Sequence, residues 1–246
     1  FAAEDDRNVP CEGSKKLLAN LKKAGCDGEL VLYPDGGHNP HKKRLDTFYP
    51  KVRAFYERTL GKAPAPSLLS ISWGSDSKES DILSAKDVAF DSGSETKIDI
   101  YYHAPGGKLR PAIITVHGHG GDKSAQEDMA REFASWGYVA APANYGKAGD
   151  IKTAVGWLRE NAGKYGVDPD HIGLWGFSRG GDASTKTALT SSGKAAVQAA
   201  VIVSGGTPQN AELAHAGAPP MLLFAAEDDR NVPCEGSKKL LANLKK

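Results

Sequence analysis

The chain has 246 residues, 40% of them hydrophobic and 25% charged, with a formal net charge of +1. This is the composition of an ordinary globular protein, without the basic excess that drives nucleic-acid binding. Its apolar runs, such as AAVIVSGG and PAIITV, are strand-length and fall well short of the roughly 20 residues that span a bilayer, so no membrane partner is expected.

In chain order the first feature is a repeat. Residues 1–23 and 224–246 are the same string, FAAEDDRNVPCEGSKKLLANLKK, which leaves 223 residues of unique sequence. The string starts inside an apolar run and stops inside a predicted helix. The earlier copy runs on into AGCDGELVLYPDGGHN, whereas the later copy is led into by APPMLL, so each supplies context that the other lacks. The chain therefore reads as circularly permuted, with an overlap at the cut. Cys11 and Cys234 are one position in the two copies, so the unique unit has two cysteines and no disulfide framework is expected.

Ser14–Lys23 is predicted as a helix, Glu29–Tyr33 as a strand and Leu45–Leu60 as an amphipathic helix. That second helix puts Leu45, Phe48, Val52, Phe55 and Tyr56 on one side, and Pro50 is expected to start or kink it. Residues 61–86, rich in Pro, Ser and charge, read as a connector. Beyond it strand and helix alternate. Strands are predicted over Lys97–His103, Pro111–His117, Tyr138–Ala143, His171–Trp175, Val197–Val203 and Met221–Ala226. Helices are predicted over Ala125–Trp136, Asp150–Ala162 and about Gly181–Leu189. The continuous apolar strands are those of a parallel sheet buried on both faces. The fold expected is a doubly wound, mostly parallel sheet with helices on both faces, which the first sixty residues would finish.

The most specific chemical signal is Gly176-Phe177-Ser178-Arg179-Gly180, a GxSxG sequence directly after a buried strand and before a helix. Such a turn leaves little room for side chains and exposes the serine hydroxyl at the sheet edge. An alcohol is a poor nucleophile until a base takes its proton, so Ser178 calls for a histidine and an acid that orients it. Of seven histidines, His38 is the best base, because it follows the strand ELVLY through Pro34-Asp35-Gly36-Gly37, where catalytic groups of open α/β sheets gather. His41, beside Lys42, Lys43 and Arg44, reads as solvated. The acid lies in EDDRNVP, where two aspartates compete. Asp229 fits the spacing D-x-x-V-P, and Asp228 reads as a loop carboxylate.

These residues resemble the α/β-hydrolases, and among them the serine-containing relatives of dienelactone hydrolase and the acetyl-xylan-type esterases. VDPDHIGLWGFSRGG is similar to those enzymes and also to prolyl-oligopeptidase-type peptidases. The resemblance implies Ser178 as nucleophile, His38 as base and the Asp229 position as acid. It also implies an oxyanion loop at His117-Gly118-His119-Gly120-Gly121, with donors from the backbone N–H of Arg179 and that of His119 or Gly120. It further implies one α/β-hydrolase domain over 1–246. Residues 1–60 would be the C-terminal part of the usual fold, 61–86 a connector, and 87–246 the N-terminal and central part. Dienelactone hydrolases carry cysteine where Ser178 stands, which points away from that substrate, and the histidine precedes the nucleophile here, as a permutation would produce.

The expected activity is hydrolysis of small or short-acyl esters. No cofactor is required, and the 17 residues between Val203 and Met221 are too few for a lid domain. A peptidase, a non-catalytic binding protein and a metal hydrolase using His117 and His119 are the rival readings. Asp122 does not complete the usual metal spacing after that histidine pair, so no metal is expected. The repeat gives the acid two sources. Asp229 follows the complete strand Met221–Ala226, whereas the copy bearing Asp6 starts at Phe1 and lacks the preceding Met-Leu-Leu, so Asp229 is preferred. The surplus copy would expose leucines and offer a surface for self-association.

Overall fold

A computed structural model describes residues 28–64, 81–92, 96–105, 107–215 and 217–244. The earlier copy of the repeat, with Asp6 and the helix expected over Ser14–Lys23, lies outside the described residues, as does most of the connector. Eight strands form one sheet: β1 (Gly28–Tyr33), β2 (Leu83–Ala89), β3 (Lys97–Tyr102), β4 (Arg110–Val116), β5 (Val139–Ala143), β6 (Val167–Phe177), β7 (Ala199–Val203) and β8 (Met221–Ala226). The helices are α1 (Leu45–Thr59), α2 (Glu127–Ser135), α3 (Ala148–Glu160), α4 (Ala162–Tyr165), α5 (Arg179–Thr190), α6 (Pro208–Ala211) and α7 (Glu235–Asn243).

Across the sheet the strands run β2-β3-β5-β4-β6-β7-β8-β1. β3 is antiparallel to both its neighbours, and all pairs from β5 to β1 are parallel. The expected doubly wound, mostly parallel sheet is therefore present. β1 pairs with β8 from Gly28 opposite Met221 to Tyr33 opposite Ala226. The first described strand thus sits at the edge beside the last.

Alternate residues of the central strands serve two cores. Ala112, Ile114, Met221 and Leu223 face a layer that includes Ile151, Val155 and Leu158 of α3 with Leu240 and Leu241 of α7. Ile113, Leu222 and Phe224 face the opposite layer, formed by Phe48, Val52, Phe55 and Tyr56 of α1 and by Phe133 of α2. A period of two in the strands meets a period of 3.6 in the helices, which is why the apolar runs read as buried on both sides.

Two expectations need correction. The connector ends earlier than 86, because β2 begins at Leu83. Its sequence LSAKDVA is largely exposed and lacks apolar alternation, so its extended form is set by pairing with β3 at the sheet edge. Of the two expectations for Pro50, to start the helix or to kink it, the first does not hold, because Pro50 lies inside α1. The carbonyl that loses its donor belongs to Asp46, and both residues are exposed, so water can take that acceptor.

Phe224 is fully buried at the end of the β7–β8 pairing, 4.6 Å from the ring of Phe48 and stacked at 6.2 Å on Tyr33. Phe224→Ala removes this aromatic bridge between β8, α1 and β1. It is expected to cost about 3–5 kcal/mol in urea unfolding, and a loss below about 1 kcal/mol would contradict this packing.

Candidate active site

β6 ends at Phe177 and α5 begins at Arg179, so Ser178 alone makes the turn, with φ 55° and ψ −125°. A positive φ in a residue with a Cβ costs about 1–3 kcal/mol and persists only when the surroundings impose it. Here they do. A Cβ on Gly176 would lie 2.5 Å from Ser184 Oγ, and one on Gly180 would lie 2.2 Å from the carbonyl oxygen of His117. Both glycines of GxSxG are fixed by close approach of the helix to the strand ends. The Ser178 N–H donates to Val203 O at 2.9 Å, and its carbonyl accepts from the Asp182 N–H at 3.0 Å. The hydroxyl is left at the C-terminal edge of the sheet.

His38 reaches this hydroxyl from the loop after β1. Its Nε2 lies 2.7 Å from Ser178 Oγ, and its Nδ1 lies 2.8 Å from Asp229 Oδ2. Asp229 follows β8, and its side chain is 1% exposed against 17% for His38. Its second oxygen, Oδ1, accepts the N–H groups of Asn231 at 2.9 Å and Val232 at 3.0 Å, which locks the carboxylate plane. With a carboxylate on Nδ1, the proton belongs on that nitrogen, and Nε2 is the acceptor for the serine hydroxyl. The structure thus brings Ser178, His38 and Asp229 together from the ends of three parallel strands.

Asp228, read from sequence as a plain loop carboxylate, does more. Its Oδ1 accepts the N–H of Gly37 at 2.6 Å and its Oδ2 that of Gly36 at 3.2 Å. It therefore clamps the turn that presents His38, and the adjacent aspartates divide the work, one holding the turn and the other the ring. The sequence signals were a Gly-Gly turn and, far from it in the chain, an acidic pair, and nothing local told that the two meet.

The loop after β4 lies against the elbow, so close that a Cβ on Gly118 would come 3.3 Å from Ser178 Cβ. It closes on itself through Gly121 N–H to Gly118 O at 3.3 Å, with Gly120 at φ 72°. His117 is buried, its Nδ1–H donating to Gly118 O at 2.8 Å, while Tyr145 donates to the His117 carbonyl at 3.2 Å. His119 is exposed, and its Nδ1 is 3.2 Å from Arg179 Nη1. Asp122 turns away to cap Ser124. Among the described residues no three His, Cys, Asp or Glu side chains are grouped to hold a metal. Arg179 opens α5, where first-turn N–H groups lack intrahelical acceptors.

Beside the elbow a cavity of about 420 Å³ is lined by Gly118, His119 and Phe177 together with His41, Tyr49 and Trp175, among others. His41 corrects the sequence reading. It is 6% exposed, not solvated, with its ring 5.3 Å from Phe48, 5.6 Å from Phe177 and 6.5 Å from Trp175. The run of basic neighbours suggested a wet loop, and Lys42 beside it is exposed, but the His41 ring turns inward onto the aromatic layer. Burial, and then the charges of Lys42 and His38, lower its pKa from 6.5 to about 4.

Glycine tolerates the φ of Ser178 without a Cβ, so Ser178→Gly is expected to unfold about 1 kcal/mol later than Ser178→Ala in matched urea titrations; equal midpoints would mean the turn stores no strain. For His41 the unfolded chain takes up a proton that the folded chain refuses between pH 6.5 and about 4. Its contribution is therefore intact above that window and is lost as pH falls through it, on the order of 3 kcal/mol at the lower end. His41→Phe is expected to flatten that part of the stability–pH curve, and an unchanged slope would contradict a buried neutral ring.

The BD-FAE family matches residues 98–202, which include Ser178 and the 117–121 loop but neither His38 nor Asp229. Esterase LipQ of Mycobacterium tuberculosis is 30% identical over 114 residues, covering 40% of this chain and 27% of that protein. The chain thus spans about a quarter of the length of that curated relative. Among solved structures, MGS-M1, an alpha/beta hydrolase enzyme from a Medee basin deep-sea metagenome library, superposes with a TM-score of 0.55 at 21% identity, over 67% of this chain and 76% of that one. Esterase 2 of Thermogutta terrifontis, phosphorylated by paraoxon, superposes with a TM-score of 0.59 at 20% identity, over 72% and 81%. Sheet order, elbow and superpositions agree: this chain has the α/β-hydrolase fold.

Proposed function

We propose that this protein is a serine carboxylic ester hydrolase that acts on small or short-acyl esters. The observation that carries the reading is the continuous relay from Ser178 Oγ to His38 Nε2 at 2.7 Å and from His38 Nδ1 to Asp229 Oδ2 at 2.8 Å. His38 takes the hydroxyl proton as Ser178 Oγ attacks the ester carbonyl, and Asp229 stabilises the imidazolium that forms. The oxyanion develops where the backbone N–H groups of Arg179 and of His119 or Gly120 can receive it. His38 then protonates the leaving alcohol, and water, activated by the same ring, releases the acid. Every proton in this cycle passes through His38, so no cofactor enters.

The names of the similar proteins support ester chemistry: LipQ is an esterase, and the Thermogutta enzyme is an esterase phosphorylated by paraoxon. A partly open cavity of about 420 Å³ suits a small acyl or alcohol group. The elbow phrase VDPDHIGLWGFSRGG favours the serine-containing dienelactone-hydrolase-like and acetyl-xylan-type members. In this reading residues 1–246 form one catalytic domain in circularly permuted order. The later copy of the repeat supplies the acid, and the surplus copy is free to associate with another molecule.

Ser178→Ala and His38→Ala are each expected to lower kcat on 4-nitrophenyl butyrate by about 10⁴-fold or more, and the double variant to lose little beyond either, because the relay acts as a unit. Asp229→Asn should lose about 10⁴-fold through the wrong histidine tautomer, and Asp6→Asn much less. Normal turnover in Ser178→Ala would end the proposal. A larger loss in Asp6→Asn than in Asp229→Asn would reassign the acid to the earlier copy.

A further inference from the structure

The oxyanion donors expected for this site are the backbone N–H of Arg179 and that of His119 or Gly120. None of these three groups bonds to an acceptor among the described residues. Their carriers are held unequally. Arg179 is fixed at the elbow as the first residue of α5. The loop after β4 is anchored at its start, where the His117 carbonyl accepts from Tyr145 and packs on Gly180, and at its end, where the Lys123 N–H donates to Asn144 Oδ1 at 2.7 Å. Between these anchors lie Gly118, His119, Gly120 and Gly121, and a 3.3 Å bond from Gly121 to Gly118 closes the turn. Three glycines in four residues leave the backbone many conformations, so a donor on that span needs a tether.

Among the described residues one side-chain hydrogen bond reaches it. Arg179 Nη1 lies 3.2 Å from His119 Nδ1, and Arg179 Nη2 lies 3.5 Å from Gly146 O in the loop after β5. A guanidinium only donates, so Nδ1 is the unprotonated nitrogen of a ring whose proton sits on Nε2. The two residues joined by this bridge are the ones that carry the expected donors, one on each side of the oxyanion. We propose that Arg179 is a positioning residue: through His119 it holds the loop after β4 against the elbow, so that the N–H groups on the two sides keep the spacing the transition state needs. Both side chains are exposed, and a bond that competes with water contributes little to stability. Rate is more sensitive, since a displacement of about 1 Å can cost up to about a hundredfold.

The inference rests on the esterase reading, so its test pairs turnover with a measurement that needs none. Arg179→Met removes the guanidinium but keeps the backbone N–H and an unbranched stem. On 4-nitrophenyl butyrate it should lower kcat about tenfold, a part of the roughly 10²–10³ lost with a whole donor, and leave KM within about twofold. His119→Phe should lower kcat as much, and the double variant no further than either alone. His119→Asn, whose side-chain oxygen stands where Nδ1 stood, should recover most of that loss. Nitrogen-15 relaxation supplies the second readout: the Gly120 amide should become more mobile in Arg179→Met than in the wild type. That rise in a wild type and variant which turn over no ester would remove the esterase reading and leave the tether standing. Unchanged kcat or unchanged Gly120 mobility in Arg179→Met, or additive losses in the double variant, would overturn the inference. So would a loss seen in KM and confined to an anionic ester such as 4-nitrophenyl hydrogen succinate, which would make Arg179 a substrate contact instead.

Discussion

The turn at Ser178 is the constraint on which the rest of the site depends. A strand and a helix are forced together so tightly that Gly176 and Gly180 have no space for a Cβ, and the single residue between them is driven to positive φ. That conformation would be rejected in an unconstrained chain. It is held because β6 lies between β4 and β7, and because α5 packs across the ends of β4 and β7. The strain places the hydroxyl outside the sheet, within 2.7 Å of a ring carried by another strand's loop.

The histidine is fixed by two carboxylates rather than one. Asp229 accepts the hydrogen bond of the ring N–H, and Asp228 accepts those of the amides in the turn that bears the ring. Both follow β8, and His38 follows β1, its parallel neighbour. The site therefore depends on the β1–β8 pairing, which also joins the first described strand to the last. In a circularly permuted reading this pairing is the seam, held by backbone hydrogen bonds and by the stack of Tyr33 on Phe224.

Around this relay the cavity wall keeps a balance of opposite tendencies. Phe48, Trp175 and Phe177 make a low-polarity surface, and burial in it keeps His41 neutral. A charged imidazole so close to His38 would compete with the imidazolium that the proposed mechanism needs there.

What the sequence by itself determined was local. The spacing GFSRG directly after a buried strand marks a strand-to-helix turn, so the position of Ser178 was legible, although the contacts that hold the turn include His117 at the end of a neighbouring strand. The runs AAVIV and MLLFAA announce strands buried on both faces, whatever lies beside them, and Leu45–Leu60 shows its helical stripe without knowing what it packs on. Tertiary structure decided whatever depends on a partner distant in the chain. β2 is a strand only because β3 is there to pair with it. Asp228 and Asp229 differ by one position, yet one meets two glycine amides and the other a ring 191 residues away. His41 lies among basic residues that read as solvent-facing, and its burial is set by aromatic rings from α1 and β6. Periodicity and turn chemistry record short-range sterics and burial, whereas the direction of a single loop side chain is set by contacts that form only when the sheet closes.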